Sequence, residues 1–406
     1  MKLSPYCKVY KHSSQPVLFN LLTREEMWID DELHDTLRNR EFKKVNGELE
    51  KELYDSSVLV HDDFDEKQSL QKLWESETRR RDTLEVTYAL TFKCNMKCSY
   101  CVQSEIKEES ECTCNVFVRW LSELLKIRKP RCFHLTFFGG EPLLKKQSIT
   151  TIAASINLLC KELNIEFEFG ITTNGTLINP VDIIKWKSFG LKNLDVTVDG
   201  EKDTHDGKRV YKDGTGTFDD IIKNLKKLKG ILPVNLICNL APTNVSHVEY
   251  LEYLSEQTNE IEIKNIRFKP YYDKSVGGCF FGDCHIGAME EIMSKAHSLS
   301  LPVEREFIFG PCGYFDNNFF AVSPCGDIYP CTPFFGKKEF ALGTVCTDEK
   351  LEKTHSLEDN LSDECLFCSF CPVCFGGCRF VSLIEKGDVS STSCEKRFFQ
   401  SNFDNI

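Results

Sequence analysis

Short apolar runs recur between Leu84 and Phe268: Leu84–Leu90, Cys132–Phe138, Glu166–Thr172, Leu194–Val198, Val234–Cys238 and Ile263–Phe268. They are rich in β-branched and aromatic residues and predict strands. The intervals Asn115–Ile127, Ser148–Leu163, Pro180–Ser188, Thr217–Lys229 and Ser246–Gln257 carry apolar positions three and four apart, which predicts helices. Strand and helix in regular alternation imply a parallel sheet with helices on its outer face. Right-handed crossovers curve such a sheet, so the expected fold is α/β, a partial (β/α)6 barrel of the TIM type. Ligand sites in these barrels gather at the C-terminal ends of the strands, so the residues directly after each run are the ones to inspect.

Two flanking regions follow other patterns. Over residues 1–80, Val9–Lys11, Pro16–Leu21 and Glu26–Ile29 read as strands, and Asp31–Asn39, Asn46–Leu53 and Glu66–Arg81 as helices. This is a small α+β module without obvious catalytic chemistry. Residues 305–406 show little periodicity and many turn residues, yet hold ten cysteines. So weakly patterned a stretch lacks a strong core of its own, and metal clusters would supply the missing cross-links. The expected domains are 1–80, a barrel over 84–300 and a cysteine-rich extension over 305–406.

Composition narrows the class. The chain has 406 residues and a formal net charge of −12, which argues against a general nucleic-acid binder. No run approaches the ~20 apolar residues of a membrane helix, and Met1–Tyr6 has no apolar signal region. A cytoplasmic protein is expected. Twenty-one cysteines, an odd number in a long chain without a secretion signal, point to metal–thiolate chemistry rather than disulfides. Cys7, Cys160 and Cys238 fall in apolar runs and read as buried small hydrophobes.

Cys94, Cys98 and Cys101 stand at spacing C-x3-C-x2-C directly after the first barrel strand. Three thiolates on one loop can hold three irons of a [4Fe–4S] cube and leave the fourth open to a small molecule. A zinc knuckle short of one ligand is the competing reading of this loop alone. Later strands end in Phe138-Gly139-Gly140-Glu141-Pro142, in Thr172-Thr173-Asn174-Gly175, and in Val198-Asp199-Gly200 followed by His205-Asp206 and Arg209. Gly139 and Gly140 would let backbone approach a ligand closely. Each motif alone is an ordinary turn; in this order, at successive strand ends, they resemble the radical S-adenosylmethionine (SAM) superfamily, whose cysteine loop carries an aromatic before the third Cys, here Tyr100. The resemblance implies that Tyr100, Gly139, Gly140, Glu141, Pro142, Thr173, Asn174, Asp199 and Arg209 bind SAM. A structural role for His205 outweighs a catalytic one.

The extension reads Cys312-x13-Gly326-x4-Cys331, then Cys365-x2-Cys368-x5-Cys374-x3-Cys378, then Cys394. This resembles the SPASM extension of radical SAM enzymes, which binds two auxiliary [4Fe–4S] clusters and accompanies peptide modification. Carried over, Cys312, Cys331 and Cys378 would serve the first cluster and Cys365, Cys368, Cys374 and Cys394 the second. The fourth ligand of the first is open, with Cys325 nearest and Cys371 spare. Zinc is the competing occupant. Gly277–His285, with Cys279 and Cys284, suggests a loop over the barrel mouth, or incidental thiols.

Residues 1–80 are similar in size, position and order to the leader-recognition module of ribosomal-peptide maturases, which implies a winged α+β fold where a leader docks by adding a strand to a sheet edge. The resemblance therefore implies SAM and three [4Fe–4S] clusters as cofactors, a precursor peptide with a leader as substrate, and a flavodoxin or ferredoxin-type reductant. The expected product is a side-chain cross-link, of the carbon–carbon cyclophane or the thioether type. Asp199, Asp206 and Asp327 are candidate proton acceptors. Formylglycine formation on a sulfatase is the alternative within the family; against it stand the late start of the cysteine loop and Thr332, where those enzymes place an Asp. A non-catalytic iron–sulfur electron carrier is the alternative of another class.

Overall fold

The computed structural model describes residues 1–12, 15–79, 82–106, 112–240, 247–270, 283–303, 311–347, 351, 353 and 355–402. They form two compact units, Arg80–Glu306 with Asn317–Lys353, and Met1–Arg79 with Phe307–Asp316 and Thr354–Ile406. The N-terminal and C-terminal segments fall in the same unit.

The N-terminal segment holds β1 (Lys2–Leu3), β2 (Cys7–His12), β3 (Gln15–Asn20), β4 (Glu26–Trp28) and β5 (Leu59–Val60). β2, β3 and β4 form an antiparallel sheet in that order, and β1 pairs with β5. Helices Asp31–Arg38, Gly47–Asp55 and Glu66–Thr78 each start at a side chain that accepts an amide of the first turn: Asp30 from Leu33 at 2.7 Å, Asn46 from Leu49 and Asp65 from Gln68, both at 2.9 Å. Their apolar faces and the sheet close on Val9, Leu18, Leu37 and Leu53.

The barrel unit follows the expected alternation. β6 (Thr83–Thr91), β7 (Cys132–Gly139), β8 (Glu166–Thr173), β9 (Leu191–Thr197), β10 (Val234–Leu240) and β11 (Ile263–Pro270) lie side by side and parallel. Helices Cys114–Arg128, Lys146–Leu163, Pro180–Lys187, Phe218–Lys226 and Val248–Gln257 make the crossovers. Alternate strand residues such as Leu84, Val86 and Tyr88 are buried among Phe117, Leu121, Ile152 and Ile156 of these helices. A further helix, Asp283–Ser298, follows β11.

The sheet does not stop at β6. β12 (Phe319–Val322) pairs with it in parallel, and β13 (Asp327–Tyr329) and β14 (Gly343–Thr344) continue antiparallel, giving nine strands in the order β11-β10-β9-β8-β7-β6-β12-β13-β14. The sequence of this stretch is too short in each run and too rich in turns to show a strand period. β12 runs the same way as β6, so the turn 323–326 stands at the end of the sheet where the cysteine loop begins.

The C-terminal segment is held by aromatic packing. Trp74, 2 % exposed, sits 4.8 Å from the Phe315 ring and 5.6 Å from that of Phe375, and its indole N–H donates to the His355 carbonyl. Cys7, Cys160 and Cys238 are buried as expected. Cys279 and the side chain of Cys284 lie outside the described residues.

Candidate active site at the strand ends

The loop after β6 is fixed from three sides. Thr91 turns the chain, its hydroxyl accepting the Lys93 amide at 3.2 Å. Phe138–Pro142 then lies on the base of the loop: the Gly140 amide donates to the Thr91 carbonyl at 2.8 Å and the Glu141 amide to that of Lys93 at 3.0 Å. A Cβ on Gly139 would stand 2.2 Å from the Thr91 oxygen, and one on Gly140 2.4 Å from that of Phe92. The two glycines therefore serve first to let one loop lie on another, a closer constraint than the ligand approach expected of them. On the other side, the Lys97 and Ser99 amides donate to the carbonyls of Val210 and Lys208 at 2.8 and 2.9 Å, which seats the loop on the segment after Asp206.

Glu141 is fully buried. Its carboxylate accepts the Leu143 amide, the Thr173 hydroxyl and the Asn174 amide, each at 2.8 Å. Burial raises its pKa, and these three donors oppose that rise. The side chain thus ties the end of β7 to the end of β8, and the motif meets any ligand through its backbone. Asn174 carries the tie to the cysteines: its amide nitrogen lies 3.6 Å from Cys94 Sγ and donates to Asn95 Oδ1 at 2.9 Å. Asn95 in turn donates to the Thr176 hydroxyl at 2.8 Å.

The fourth strand end supplies a buried charged network. Tyr100 donates to Asp199, and its oxygen accepts from Arg209 Nη1 at 2.5 Å and from Asn239 Nδ2 at 3.1 Å. Asp199, wholly buried, also accepts the Asn239 amide at 2.9 Å and its side chain at 3.0 Å. Arg209 lies 3.8 Å from the same carboxylate. Burial alone would weaken the Arg209 charge; Tyr100, Asp199 and Cys98 beside it overrule that and hold its pKa above the ordinary value. His205 is fully buried behind the network. Its Nδ1 accepts the Asp199 amide at 3.1 Å, which leaves the ring proton on Nε2, 3.0 Å from the Thr217 hydroxyl. Burial, with Arg209 nearby, pushes its pKa down to about 3, so it is a neutral structural histidine. Asp206 accepts the amides of Thr217 and Phe218 at 2.8 and 2.9 Å and caps the helix Phe218–Lys226.

Cys94, Cys98 and Cys101 are free, half-buried thiols on this loop. Burial raises the Cys94 pKa, opposed by the Met96 amide, 3.4 Å from Sγ, and by Asn174. Burial pushes Cys98 up to about 11, with Arg209 opposing. N–H donors aimed at a sulfur favour its thiolate and tune a bound cluster. Three thiols on one loop, two donors at one sulfur and a buried arginine beside another fit a [4Fe–4S] cluster with three protein ligands.

Asn239 and Asn95 escaped the sequence reading. The first is a polar residue at the end of an otherwise apolar strand, a readable signal; the second, between cysteines, has none. Lower on the sheet, a cavity of about 260 Å³ is lined by His134, Glu168, Asp195, Asn235, Lys264 and Arg267. His134 Nδ1 stands 2.9 Å from Glu168 across it and the Arg267–Asp195 ion pair closes at 2.8 Å, at the end of the strands away from the cysteine loop.

In the C-terminal segment Cys365 lies on one short helical turn and Cys371 and Cys374 on a second, with Cys368 between them; burial first, then the charges of the neighbouring cysteines, raises the pKa of Cys371, which is 2 % exposed. Phe375, Gly376 and Gly377 all take positive φ, and a Cβ on Gly377 would meet the Ser393 carbonyl at 1.9 Å. The Ser393 amide donates to the Gly376 carbonyl at 2.9 Å, so Cys394 is delivered next to the Cys374–Cys378 turn. Arg379 closes this loop. It is buried and donates to the carbonyls of Ser391 at 2.7 Å and Phe375 at 3.1 Å. The Cys378 sulfur receives the amides of Phe380 and Val381 at the start of helix Arg379–Lys386. Cys325 and Cys331 flank β13, the former in the turn before it and the latter two residues past its end.

Comparison with known proteins agrees with this layout. Residues 88–254 match the model of the Radical SAM superfamily. A cysteine-type anaerobic sulfatase-maturating enzyme of Clostridium novyi is 24% identical over 77% of this chain and 93% of its own. The mycofactocin maturase MftC of Mycobacterium tuberculosis is 22% identical over 72% and 77%. Among solved structures, anSMEcpe with bound AdoMet and the Kp18Cys peptide superposes with a TM-score of 0.64 at 18% identity, covering 79% of this chain and 95% of that one. Streptococcus suis SuiB bound to precursor peptide SuiA superposes with a TM-score of 0.54 at 16% identity, covering 96% and 98%. The match extends through the cysteine-rich segment as well as the barrel.

Proposed function

From a chain that carries a radical SAM domain over residues 88–254, and is an enzyme of that superfamily, we propose a maturase that installs an intramolecular side-chain cross-link in a ribosomally made precursor peptide. The observation that carries the reading is the second thiol set, Cys365, Cys368 and Cys374 with Cys394 delivered beside them, in one compact unit with the N-terminal strands. The likeness to MftC and to SuiB supports it. When bound, SAM and its cluster would supply a 5′-deoxyadenosyl radical that takes a hydrogen atom from an unactivated carbon.

The chain's own residues do the rest. Cys94, Cys98 and Cys101 hold the SAM cluster, and Asn174 and the Met96 amide favour the Cys94 thiolate against the burial that raises its pKa. Tyr100, Asp199, Arg209 and Asn239 lock the loop to the ends of β9 and β10. The backbone of Gly139–Pro142 offers the amino-group site. Asp199 and Asp206 are occupied by protein amide, hydroxyl and side-chain donors, which makes them positioning residues; Asp327, whose carboxylate takes only the Cys325 thiol at 3.5 Å among the described contacts, is the candidate acceptor of a substrate proton. Cys365, Cys368, Cys374 and Cys394 serve an auxiliary cluster. In the N-terminal sheet β4 is an edge strand with Trp28 exposed, where a leader strand can add. We favour a carbon–carbon bond over a thioether.

The test is anaerobic. Reduced protein given SAM should form 5′-deoxyadenosine, and Cys94→Ala should form none. Co-expression with the precursor should lower the peptide's mass by two hydrogen atoms for each cross-link. Absence of 5′-deoxyadenosine with and without peptide would return the chain to electron transfer. The likeness to the Clostridium novyi enzyme favours a second reading, formylglycine formation; an aldehyde on a sulfatase peptide would establish it in place of the cross-link.

A further inference from the structure

The cavity low on the barrel sheet plays no part in the chemistry at the strand ends. Leu135, Leu194, Leu236 and Ile266 are buried in the core with the crossover helices; the residues that alternate with them, such as Asp195, Asn235 and Arg267, line the cavity from the other face of the sheet. Most of its polar groups are committed to one another. Asp195 Oδ1 accepts Asn235 Nδ2 at 2.7 Å and pairs with Arg267 at 2.8 Å, and Lys264 donates to Asn193 Oδ1 at 2.9 Å. Two carboxamide oxygens are left over. Asn235 is 5 % exposed, and its Nδ2 is fixed by a carboxylate that can only accept, so Oδ1 stays buried without a donor. Asn265, its cross-strand partner on β11, has Oδ1 in the same condition. Gly170 marks the same place from β8. Its φ lies outside the left-handed range, and a Cβ there would stand 3.4 Å from its nearest neighbours, the Asn193 Cβ and carbonyl. Neither backbone conformation nor a clash demands glycine, which inside a strand then leaves room for a ligand.

We propose that this cavity holds one N–H-bearing side chain of the peptide substrate, a Lys, Arg, Asn or Gln, and so selects which peptide the enzyme accepts; this rests on the maturase reading above. The chemistry follows from what the walls lack. A buried acceptor without a partner is costly, and a ligand that brings N–H groups to Asn235 and Asn265 removes that cost. A carboxylate would bring further acceptors to the same two oxygens, beside Asp195 and Glu168, while Lys264 and Arg267 are already engaged. Size points the same way. Sites that enclose a whole small ligand run to about 300–1,000 Å³; at about 260 Å³ this one suits a single side chain of a longer molecule. Its position ties it to the reaction. Asn235 and Asn239 lie on one face of β10, about 13 Å apart at ~3.3 Å per residue, and Asn239 bonds Tyr100 of the cysteine loop at 3.1 Å. A peptide extended along the sheet would therefore bring to the cysteine loop a residue about four positions from the anchored one.

The experiment is an NMR titration of the full-length, anaerobically reconstituted protein with the tripeptides Gly-Lys-Gly, Gly-Gln-Gly, Gly-Leu-Gly and Gly-Glu-Gly, each blocked at both ends. The Lys or the Gln peptide should bind at least tenfold more tightly than the Leu and Glu peptides, because a site built to hydrogen-bond a group rejects the analogue without it. Asn235→Ala should weaken that binding about tenfold. Gly170→Val should do the same by filling the cavity, with every polar partner kept and a β-branched residue that suits a strand. No binding, equal binding of all four peptides, or wild-type affinity in Gly170→Val would overturn the proposal. The readout needs no turnover, so the two readings fail separately: selective binding in a protein that forms no 5′-deoxyadenosine would sink the maturase and leave the cavity, and cross-linking without selective binding would do the reverse.

Discussion

At the scale of single residues, the site is a set of buried charges that only one another can satisfy. Asp199 shows this best: it is wholly buried and faces Tyr100, Arg209 and Asn239. Asp199→Asn would leave the Arg209 charge without its counter-ion, at a cost of about 3–5 kcal/mol. The expected outcome is a lower urea midpoint and loss of iron from the Cys94 loop, read by absorbance during titration. His205 gives a pH signature. Above about pH 6.5 the imidazole is neutral in both folded and unfolded chains and nothing is lost. Below that only the unfolded chain takes the proton, because the folded value is about 3. Stability should therefore fall as pH drops, by about 1 kcal/mol at about pH 5.5 from this residue alone. Equilibrium unfolding at about pH 5.5 and 7.5 checks it, and His205→Gln should flatten the difference. The sequence named Tyr100, Asp199 and Arg209 through their motifs. It could not join them, since the bonds run between residues about a hundred positions apart, and it passed over Asn239 entirely.

At the scale of elements, the crossing of two loops decides whether the site exists. Gly140→Ala would drive a Cβ to 2.4 Å from the Phe92 carbonyl, against backbone that cannot yield. Such overpacking costs about 1–3 kcal/mol or more. The motif should lift from the cysteine loop, with SAM affinity falling at least tenfold in equilibrium dialysis while the helical circular dichroism is kept. The barrel strands and crossovers were legible because apolar runs repeat with one period each. β12 to β14 were not: runs of two to four residues between turns show no period, and their place at the edge of β6 comes from long-range pairing. The loop closed by Arg379 was equally hidden, because an arginine after a cysteine carries no mark of the carbonyls it will meet.

For the whole molecule, the consequence lies in the N-terminal segment. Read alone, residues 1–80 are a separable module. In the structure Trp74 packs on Phe315 and Phe375, and Lys8 stands 5.1 Å from the Phe370 ring, so the segment shares a core with the C-terminal cysteines. A chain lacking residues 1–79 should lose auxiliary iron as well as peptide recognition. Trp74→Ala, which removes about 3–5 kcal/mol of packing, should show the same iron loss at moderate temperature. Iron per chain, against the about twelve expected of three clusters, is the measurement. Iron unchanged in both would restore the independent module.

What the sequence determined by itself was local or periodic. The thiol spacing of the first loop, the motifs closing successive strands and the alternation of strand and helix are short-range patterns, and chemistry that needs three ligands on one loop writes itself into one loop. Tertiary structure decided the rest: which buried polar groups satisfy each other, where an unpatterned stretch adds to a sheet, and which cysteines from distant segments meet. Those depend on contacts that close only when the chain is folded, and no spacing along it records them.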